Sequence, residues 1–121
     1  VCLVQEHELI ERYPSYIEWH EAHAGTRGIW NPIDDLSYPE FDEIFEFVSM
    51  LSGHLNNGQS LVVHCAAGIG RAGTTGTALL MMLGMNSADA LTHIREHRPM
   101  AGPEAGTQRK FIEDLAIHLG G

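Results

Sequence analysis

A glycine-rich segment between two apolar stretches constrains this sequence more than any other feature. Residues 60–65 form a short apolar run and residues 74–85 an almost wholly apolar one. The chain between them reads Ala66-Ala67-Gly68-Ile69-Gly70-Arg71-Ala72-Gly73. A buried strand that passes through small residues into a helix gathers backbone N–H groups at the helix N-terminus, where anions bind. The segment therefore predicts an anion-binding loop, although a tight turn that merely needs glycine is the plain alternative.

Apolar periodicity predicts the other elements. We expect strands at 1–4, 28–33 and 60–65, the last of them central in the sheet, and helices at 8–23 (broken at Pro14), 41–55, 74–85, 87–97 and 107–119. Strands that alternate with helices form mainly parallel sheets. The sequence thus predicts one α/β domain over residues 1–121, with a mainly parallel central sheet flanked by helices.

Two nucleotide-binding motifs are similar to the loop, but each lacks an essential part. Gly68, Gly70 and Gly73 fit G-x-G-x-x-G, yet the following residues 87–97 have helical spacing instead of forming a strand that ends in an acid. The loop also approaches the G-x4-G-K-[ST] pattern, but Thr74 stands where the phosphate-binding lysine belongs. Both interpretations are disfavoured.

Cys65 and Arg71 support a third interpretation, a nucleophile beside a phosphate site. A helix N-terminus and a nearby cation lower the pKa of a thiol and favour the reactive thiolate. The planar guanidinium of Arg71 can hold two phosphate oxygens at once. Small residues between the two allow the backbone to approach the anion closely.

With these residues the chain resembles the cysteine-dependent protein tyrosine phosphatases, in particular their compact dual-specificity and archaeal types. His64, Cys65, Gly68 and Arg71 match the signature H-C-x-x-G-x-x-R-[ST]. The segment Pro32-Ile33-Asp34-Asp35-Leu36-Ser37-Tyr38-Pro39 is similar to the family's P-I-x-D-x-x-x-P loop. Residues 1–9 resemble the strand and Glu-Leu segment that precede this loop in the family. Arg98-Pro99 and Gln108 resemble the family's late Arg-Pro turn and its glutamine-bearing helix.

The resemblance begins at what would be the family's third strand. The first two strands would then precede Val1, so we expect either that they have been removed or that a partner chain covers an exposed sheet edge. The sequence itself does not indicate an oligomeric state.

The resemblance implies a mechanism and its residues. Cys65 would attack a phosphate monoester and form a phosphocysteine, while Asp35, favoured over Asp34, would act as general acid. Gln108 would orient the water, although a plain surface glutamine is nearly as good an explanation. No metal or cofactor is implied. The expected substrate-binding residues are Ala66, Ala67, Gly68, Ile69, Gly70, Arg71 and Gln108.

Ala72 departs from the family pattern. A Ser or Thr there normally helps the sulfur leave when the phosphoenzyme is hydrolysed, so we expect a slow second step. The alternative is a phosphopeptide-binding module without turnover, but Cys65, Arg71 and Asp35 are all present, and binding alone does not need the acid.

Charge and composition limit the partners. With 16 acidic and 7 basic side chains the net charge is −9, which argues against nucleic acid and anionic lipid. No apolar run is long enough for a membrane span. Two cysteines form no disulfide framework, which indicates a reducing, cytoplasmic compartment. We expect a phosphorylated protein as substrate, with phosphotyrosine as the default residue.

Two histidine pairs have ligand-like spacing on predicted helices. They are His20 with His23, and His93 with His97. Neither pair belongs to an H-E-x-x-H motif, so we expect exposed helical histidines and assign no metal.

Overall fold

The computed structural model describes residues 1–66 and 69–120, and helices dominate its regular structure. No helix in this described part of the chain is long and apolar enough to cross a membrane. The helices are α1 (Glu6–Leu9), α2 (Pro14–His23), α3 (Phe41–Asn56), α4 (Arg71–Met82), α5 (Ser87–His97) and α6 (Gly106–His118).

The predicted helices are confirmed, with shifted ends. Pro14 occupies the first turn of α2, where its fixed φ suits a helix start. The larger shift is in α4, which begins at Arg71 and not at residue 74. The arginine of the predicted site therefore lies in the first helical turn and not in the preceding loop.

Three extended segments lie side by side where strands were predicted. Cys2 pairs in parallel with Trp30 on one side and with His64 on the other. Backbone hydrogen bonds of 2.8–3.1 Å join the three segments. These pairings are isolated bridges, and no described residue belongs to a regular strand, so the continuous parallel sheet is not confirmed. Among the described residues the middle segment is 1–4, whereas the sequence predicted 60–65.

Helix α4 is the buried centre of the molecule and packs against α3, α5 and α6. Two of its buried threonines bond within the helix: Thr75 donates to the Arg71 carbonyl at 3.0 Å and Thr77 to the Gly73 carbonyl at 2.8 Å. The buried hydroxyl of Thr74 has no hydrogen-bond partner among the described residues. Gly73 lies against the backbone of Gly102, where a Cβ would overlap it. These contacts fix the N-terminal turn of α4 in the fold.

An aromatic cluster surrounds His20 on α2. The ring is only 4% exposed, and it contacts Tyr16, Trp19 and Trp30. Neither ring nitrogen has a hydrogen-bond partner within residues 1–66 and 69–120, and burial lowers the pKa of His20. The expectation that this histidine is exposed was wrong, because the apolar face of α2 turns it toward the 28–33 segment.

The segment 60–65 leaves one edge open. On its inner edge the N-terminal amine of Val1 donates to the Val62 carbonyl at 2.6 Å. On its outer edge no segment within 1–66 and 69–120 pairs with it. The Val62 side chain is 79% exposed.

Candidate active site

Cys65 lies where the 60–65 segment meets the N-terminus of α4. Its half-buried sulfur is 3.4 Å from the backbone nitrogen of Ala72, which donates to it. The N-terminal end of α4 carries partial positive charge, and this N–H group points at the sulfur. The structure therefore places the predicted nucleophile against the N-terminus of α4.

The loop between Cys65 and α4 is described in part. The carbonyl of Ile69 accepts the N–H of Gly102 at 3.0 Å, and the carbonyl of Gly70 accepts the N–H of Thr74 at 2.9 Å. These bonds tie the second half of the loop to the chain after α5 and to α4. The predicted binding residues Ala67 and Gly68 lie outside the described residues, and Ala66 is exposed.

Arg71 is buried and held in one orientation. The side chain is 2% exposed, and its two terminal nitrogens donate to both carboxylate oxygens of Glu8 at 2.8 and 2.9 Å. One of them also donates to the Ile33 carbonyl at 2.9 Å. Hydrogen bonding to Arg71 lowers the pKa of Glu8, and the same bonds raise the pKa of Arg71. The pair stays charged and preorganises the guanidinium.

Sequence reasoning assigned no role to Glu8. The chain has 16 acidic residues, and nothing in their spacing says which one neutralises a buried arginine. The Glu-Leu segment within residues 1–9 was the only indication available, and it entered only as part of a resemblance.

The two candidate acids have different surroundings. Asp35 is 64% exposed, and its Oδ1 lies 3.5 Å from Nη2 of Arg71. The Leu36 N–H donates to the same oxygen at 2.9 Å. Asp34 instead accepts a hydrogen bond of 2.6 Å from the Gln5 side chain. Of the two carboxylates, that of Asp35 faces Arg71, which supports the choice made from the sequence.

Gln108 is fully buried, so the surface-glutamine explanation was wrong. Its side chain donates to the Ser37 carbonyl at 3.3 Å and accepts the N–H of Glu104 at 2.9 Å. It also packs beside Gly70, since a Cβ on that glycine would lie 3.0 Å from Nε2. Gln108 thus connects the loop that carries the acid with the loop that carries the nucleophile.

His64 steadies the chain just before the nucleophile. Its Nε2 shares a 2.6 Å hydrogen bond with the Tyr16 hydroxyl. Burial lowers the pKa of His64, which favours the neutral ring. Its backbone is also paired with Cys2. Side-chain and backbone bonds together fix the direction from which the chain enters the loop.

Cys65 borders two cavities. The first is about 430 Å³ and is lined on the α1 side by Glu8, Arg12 and Tyr13. The second is about 670 Å³ and mainly apolar; it lies between the 60–65 segment, α4 and α5. Cys65 therefore lies between two mainly apolar cavities, and the one beside α1 also carries the charged side chains of Glu8 and Arg12.

The site therefore combines a half-buried cysteine at a helix N-terminus with a buried arginine that is held by one carboxylate and faces a second. A family model described as "Polymorphic toxin system, DSP-PTPase phosphatase" matches residues 4–85, and the chain belongs to that family. It is of the compact dual-specificity and archaeal type of cysteine-dependent tyrosine phosphatase.

Two relatives and two solved structures agree with this assignment. The chain is 40% identical to dual specificity protein phosphatase 1 of Arabidopsis thaliana over 62% of this chain and 36% of that protein. It is 32% identical to the serine/threonine/tyrosine-interacting protein of Mus musculus over 70% of this chain and 40% of that protein. The crystal structure of Tk-PTP in its active form has 27% identity and a TM-score of 0.77, covering 96% of this chain and 76% of that one. A mutant form of Tk-PTP has 31% identity and a TM-score of 0.81, covering 98% and 76%.

These similarities establish a tyrosine phosphatase fold and a protein phosphatase family. The chain spans between 36% and 63% of the length of the curated relatives it matches.

Proposed function

We propose that the protein hydrolyses phosphotyrosine in proteins, and phosphoserine or phosphothreonine as well, through a phosphocysteine at Cys65. The observation that carries the proposal is the position of the Cys65 sulfur, 3.4 Å from the Ala72 nitrogen at the N-terminus of α4. Arg71, buried and charged, begins the same helix. A thiolate and a fixed cation at one helix end suit a phosphate dianion.

In the first step the Cys65 thiolate attacks phosphorus and forms an S–P bond while the ester P–O bond breaks. Backbone N–H groups at the N-terminus of α4 and the Arg71 side chain hold the equatorial oxygens, which keeps the phosphoryl group in line. Asp35 gives its proton to the leaving oxygen. The support for this role is geometric: Oδ1 of Asp35 lies 3.5 Å from Nη2 of Arg71, the proposed phosphate-binding residue.

In the second step a water oxygen attacks phosphorus and the S–P bond breaks, releasing inorganic phosphate and the Cys65 thiolate. The Asp35 carboxylate takes the water proton. Gln108 lies at the contact between the two loops and would orient that water. Ala72 has no hydroxyl to donate to the departing sulfur, so we expect this step to limit turnover. Neither step requires a metal or a cofactor.

The cleft beside α1 supports a protein substrate. Arg12 and Tyr13 lie on its wall, and Tyr13 is 56% exposed. An arginine and an aromatic ring at the edge of a phosphate site suit a phosphorylated side chain presented by a peptide. The net charge of −9 opposes nucleic acids and anionic membranes as partners. A cytoplasmic location remains part of this proposal.

The reaction is tested with an aryl phosphate in the presence of EDTA, with and without vanadate, for the wild type and Cys65→Ser. Metal-independent, vanadate-sensitive hydrolysis that Cys65→Ser abolishes supports the proposal. The absence of hydrolysis by the wild type, together with binding of a phosphotyrosine peptide, would instead establish the binding module. Failure of both reaction and binding overturns both functions.

The family description names polymorphic toxin systems, and we include membership of such a system in the proposal. A toxin that acts by dephosphorylation should slow growth when it is produced inside a host cell. Induced expression of the wild type should lower the growth rate, whereas Cys65→Ser at equal abundance should not. Equal growth of both cultures contradicts a toxic activity.

We also propose that residues 1–121 form one domain and that its three paired segments belong to a mainly parallel sheet. A further strand would pair with the outer edge of segment 60–65. The unpaired outer edge and the exposed Val62 support this proposal. Hydrogen exchange at Leu61 and Val63 tests it. Their amides should exchange quickly in this chain alone and slowly when the partner strand is present; equal rates would count against a strand there.

A further inference from the structure

Three exposed side chains on α5 form a cluster that the phosphatase reaction does not use. His93, Glu96 and His97 each offer one ligand atom, and these atoms all lie within 4.8 Å of one another. The spacings of three and four residues place them on one face of the helix. A single ion can therefore be reached by all three side chains without any change in the backbone.

A hydrogen bond to the helix backbone orients the imidazole of His97. Nδ1 of His97 lies 2.9 Å from the His93 carbonyl, one helical turn earlier. A carbonyl only accepts, so Nδ1 carries the hydrogen and Nε2 keeps its lone pair. This is the arrangement in which a metal-binding histidine is held by a backbone partner. The two imidazole rings lie 4.6 Å apart, centre to centre.

The carbonyl end of α5 and the Glu96 carboxylate attract a cation at this position, while the neighbouring Arg95 and Arg98 carry positive charge. The cluster lies in the last turns of α5, where the carbonyl end of the helix carries partial negative charge. Glu96 adds a full negative charge, and the chain as a whole carries −9. The neighbouring Arg95 directs its Nε toward the Ala101 carbonyl at 3.1 Å, which engages it with the following loop.

We propose that His93, Glu96 and His97 form a binding site for a transition-metal ion, specifically Zn²⁺. Two imidazole nitrogens and one carboxylate oxygen are a donor set that zinc accepts, and three protein ligands leave a further position for water or another ligand. His93 and His97 also line the 670 Å³ cavity that reaches Cys65, so the ion adds positive charge to one wall of that cavity. The site is independent of the phosphatase proposal.

The experiment is calorimetric titration of the purified chain with ZnCl₂ in the Cys65→Ser background, which removes the accessible thiol as a competing ligand. We expect one equivalent of Zn²⁺ to bind. Loss of an outer-shell partner alone weakens metal binding about 10–100-fold, so loss of a ligand should cost at least about tenfold. His93→Ala, His97→Ala and Glu96→Gln should each show this loss. His7→Ala, an exposed histidine on α1, is the matched control and should bind as the parent does.

A second measurement removes any ambiguity from folding. Imidazole ¹⁵N NMR spectra of the parent should show zinc-dependent shifts of the His97 Nε2 signal, with Nδ1 remaining protonated. Unchanged affinity in the His93 and His97 variants overturns the site, and so does an equal loss in His7→Ala. Shifts confined to other histidines would likewise refute it. Circular dichroism of each variant before titration shows whether α5 is intact.

Discussion

Arg71 and Glu8 form a bidentate ion pair between a buried guanidinium and a partly exposed carboxylate. Nη1 of Arg71 lies 2.8 Å from Oε2 of Glu8, and Nη2 lies 2.9 Å from Oε1. The pair connects α1 to the first turn of α4 across a large separation in sequence. Because the arginine is 2% exposed, it depends on this partner for its charge balance. The side chain that we propose to bind phosphate is thus also a structural group of the fold.

Replacing Glu8 with glutamine should therefore affect stability and catalysis together. Glu8→Gln keeps the size but leaves the buried guanidinium without a counter-charge, which should cost about 2–4 kcal/mol of unfolding free energy. The kcat/KM for an aryl phosphate should also fall, because Arg71 is no longer held. Urea unfolding and steady-state kinetics measure both. Glu6→Gln, an exposed acid of the same helix, should change neither; equal effects of the two substitutions would disprove a specific role.

The same ion pair predicts how stability depends on pH. Arg71 holds the pKa of Glu8 below its ordinary value of 4.5. A carboxyl whose pKa is depressed by folding contributes stability that is fully present above the unfolded-state pKa and is lost as pH falls through the folded-state pKa. The difference in unfolding free energy between the wild type and Glu8→Gln should hold steady above pH 4.5 and narrow below it. If this difference in unfolding free energy stays constant below pH 4.5 as well, the ion pair between Glu8 and Arg71 is not its cause.

Asp35 and Asp34 should differ sharply as catalytic groups. Loss of a general acid costs about 10²–10⁴-fold in rate, so Asp35→Asn should lower kcat/KM, which reports the first chemical step, by about that factor with alkyl or weakly acidic phenyl phosphates. The loss of kcat/KM should shrink for aryl phosphates whose phenols are good leaving groups. Asp34→Asn removes a bond to Gln5 and should leave kcat/KM nearly unchanged. The opposite ranking of the two variants would reassign the acid.

Position 72 should control the second chemical step. The Ala72 nitrogen lies 3.4 Å from the Cys65 sulfur, which places a serine side chain at this position close to the leaving thiolate. Ala72→Ser should raise the steady-state rate and reduce the initial burst of phenol seen in stopped-flow. Ala88→Ser, at an exposed site on α5, is the control. An unchanged rate, with dephosphorylation already fast in the wild type, would show that the hydroxyl is dispensable here.

Gly73 and Gly53 should respond oppositely to alanine. A Cβ at Gly73 would overlap the backbone of Gly102, which cannot move as a flexible side chain could. Gly73→Ala should therefore destabilise the fold by about 2–4 kcal/mol and disturb the α4 N-terminus. Nothing lies within 4 Å of a Cβ at Gly53 in α3, so Gly53→Ala should stabilise by about 0.5–1 kcal/mol. Thermal and urea unfolding compare the two, and matching effects would contradict the packing argument.

The helices could be predicted because their apolar periodicity and the residues that begin and end them are local features of the sequence. The apolar spacing of α3 and the proline at the start of α2 are properties of neighbouring residues. The start of α4 could not be placed, because the glycine-rich residues before Thr74 have low helix propensity. Burial of Arg71 and its contact with Glu8 hold that first turn in the helix, and both are long-range effects.

The sequence by itself determined the helices of the fold and nominated Cys65 and Arg71 from residue type and spacing. It nominated Asp35 only through the resemblance of residues 32–39 to the P-I-x-D-x-x-x-P loop. Only the tertiary structure decided that Glu8 neutralises Arg71 and that Gln108 is buried. The physical reason is that these roles depend on which distant residues meet in a poorly hydrated environment, where an unpaired charge or amide is costly. The glycine-rich segment 66–73, predicted to bind an anion, is thus recognisable from local sequence, while its supporting contacts come from distant parts of the chain.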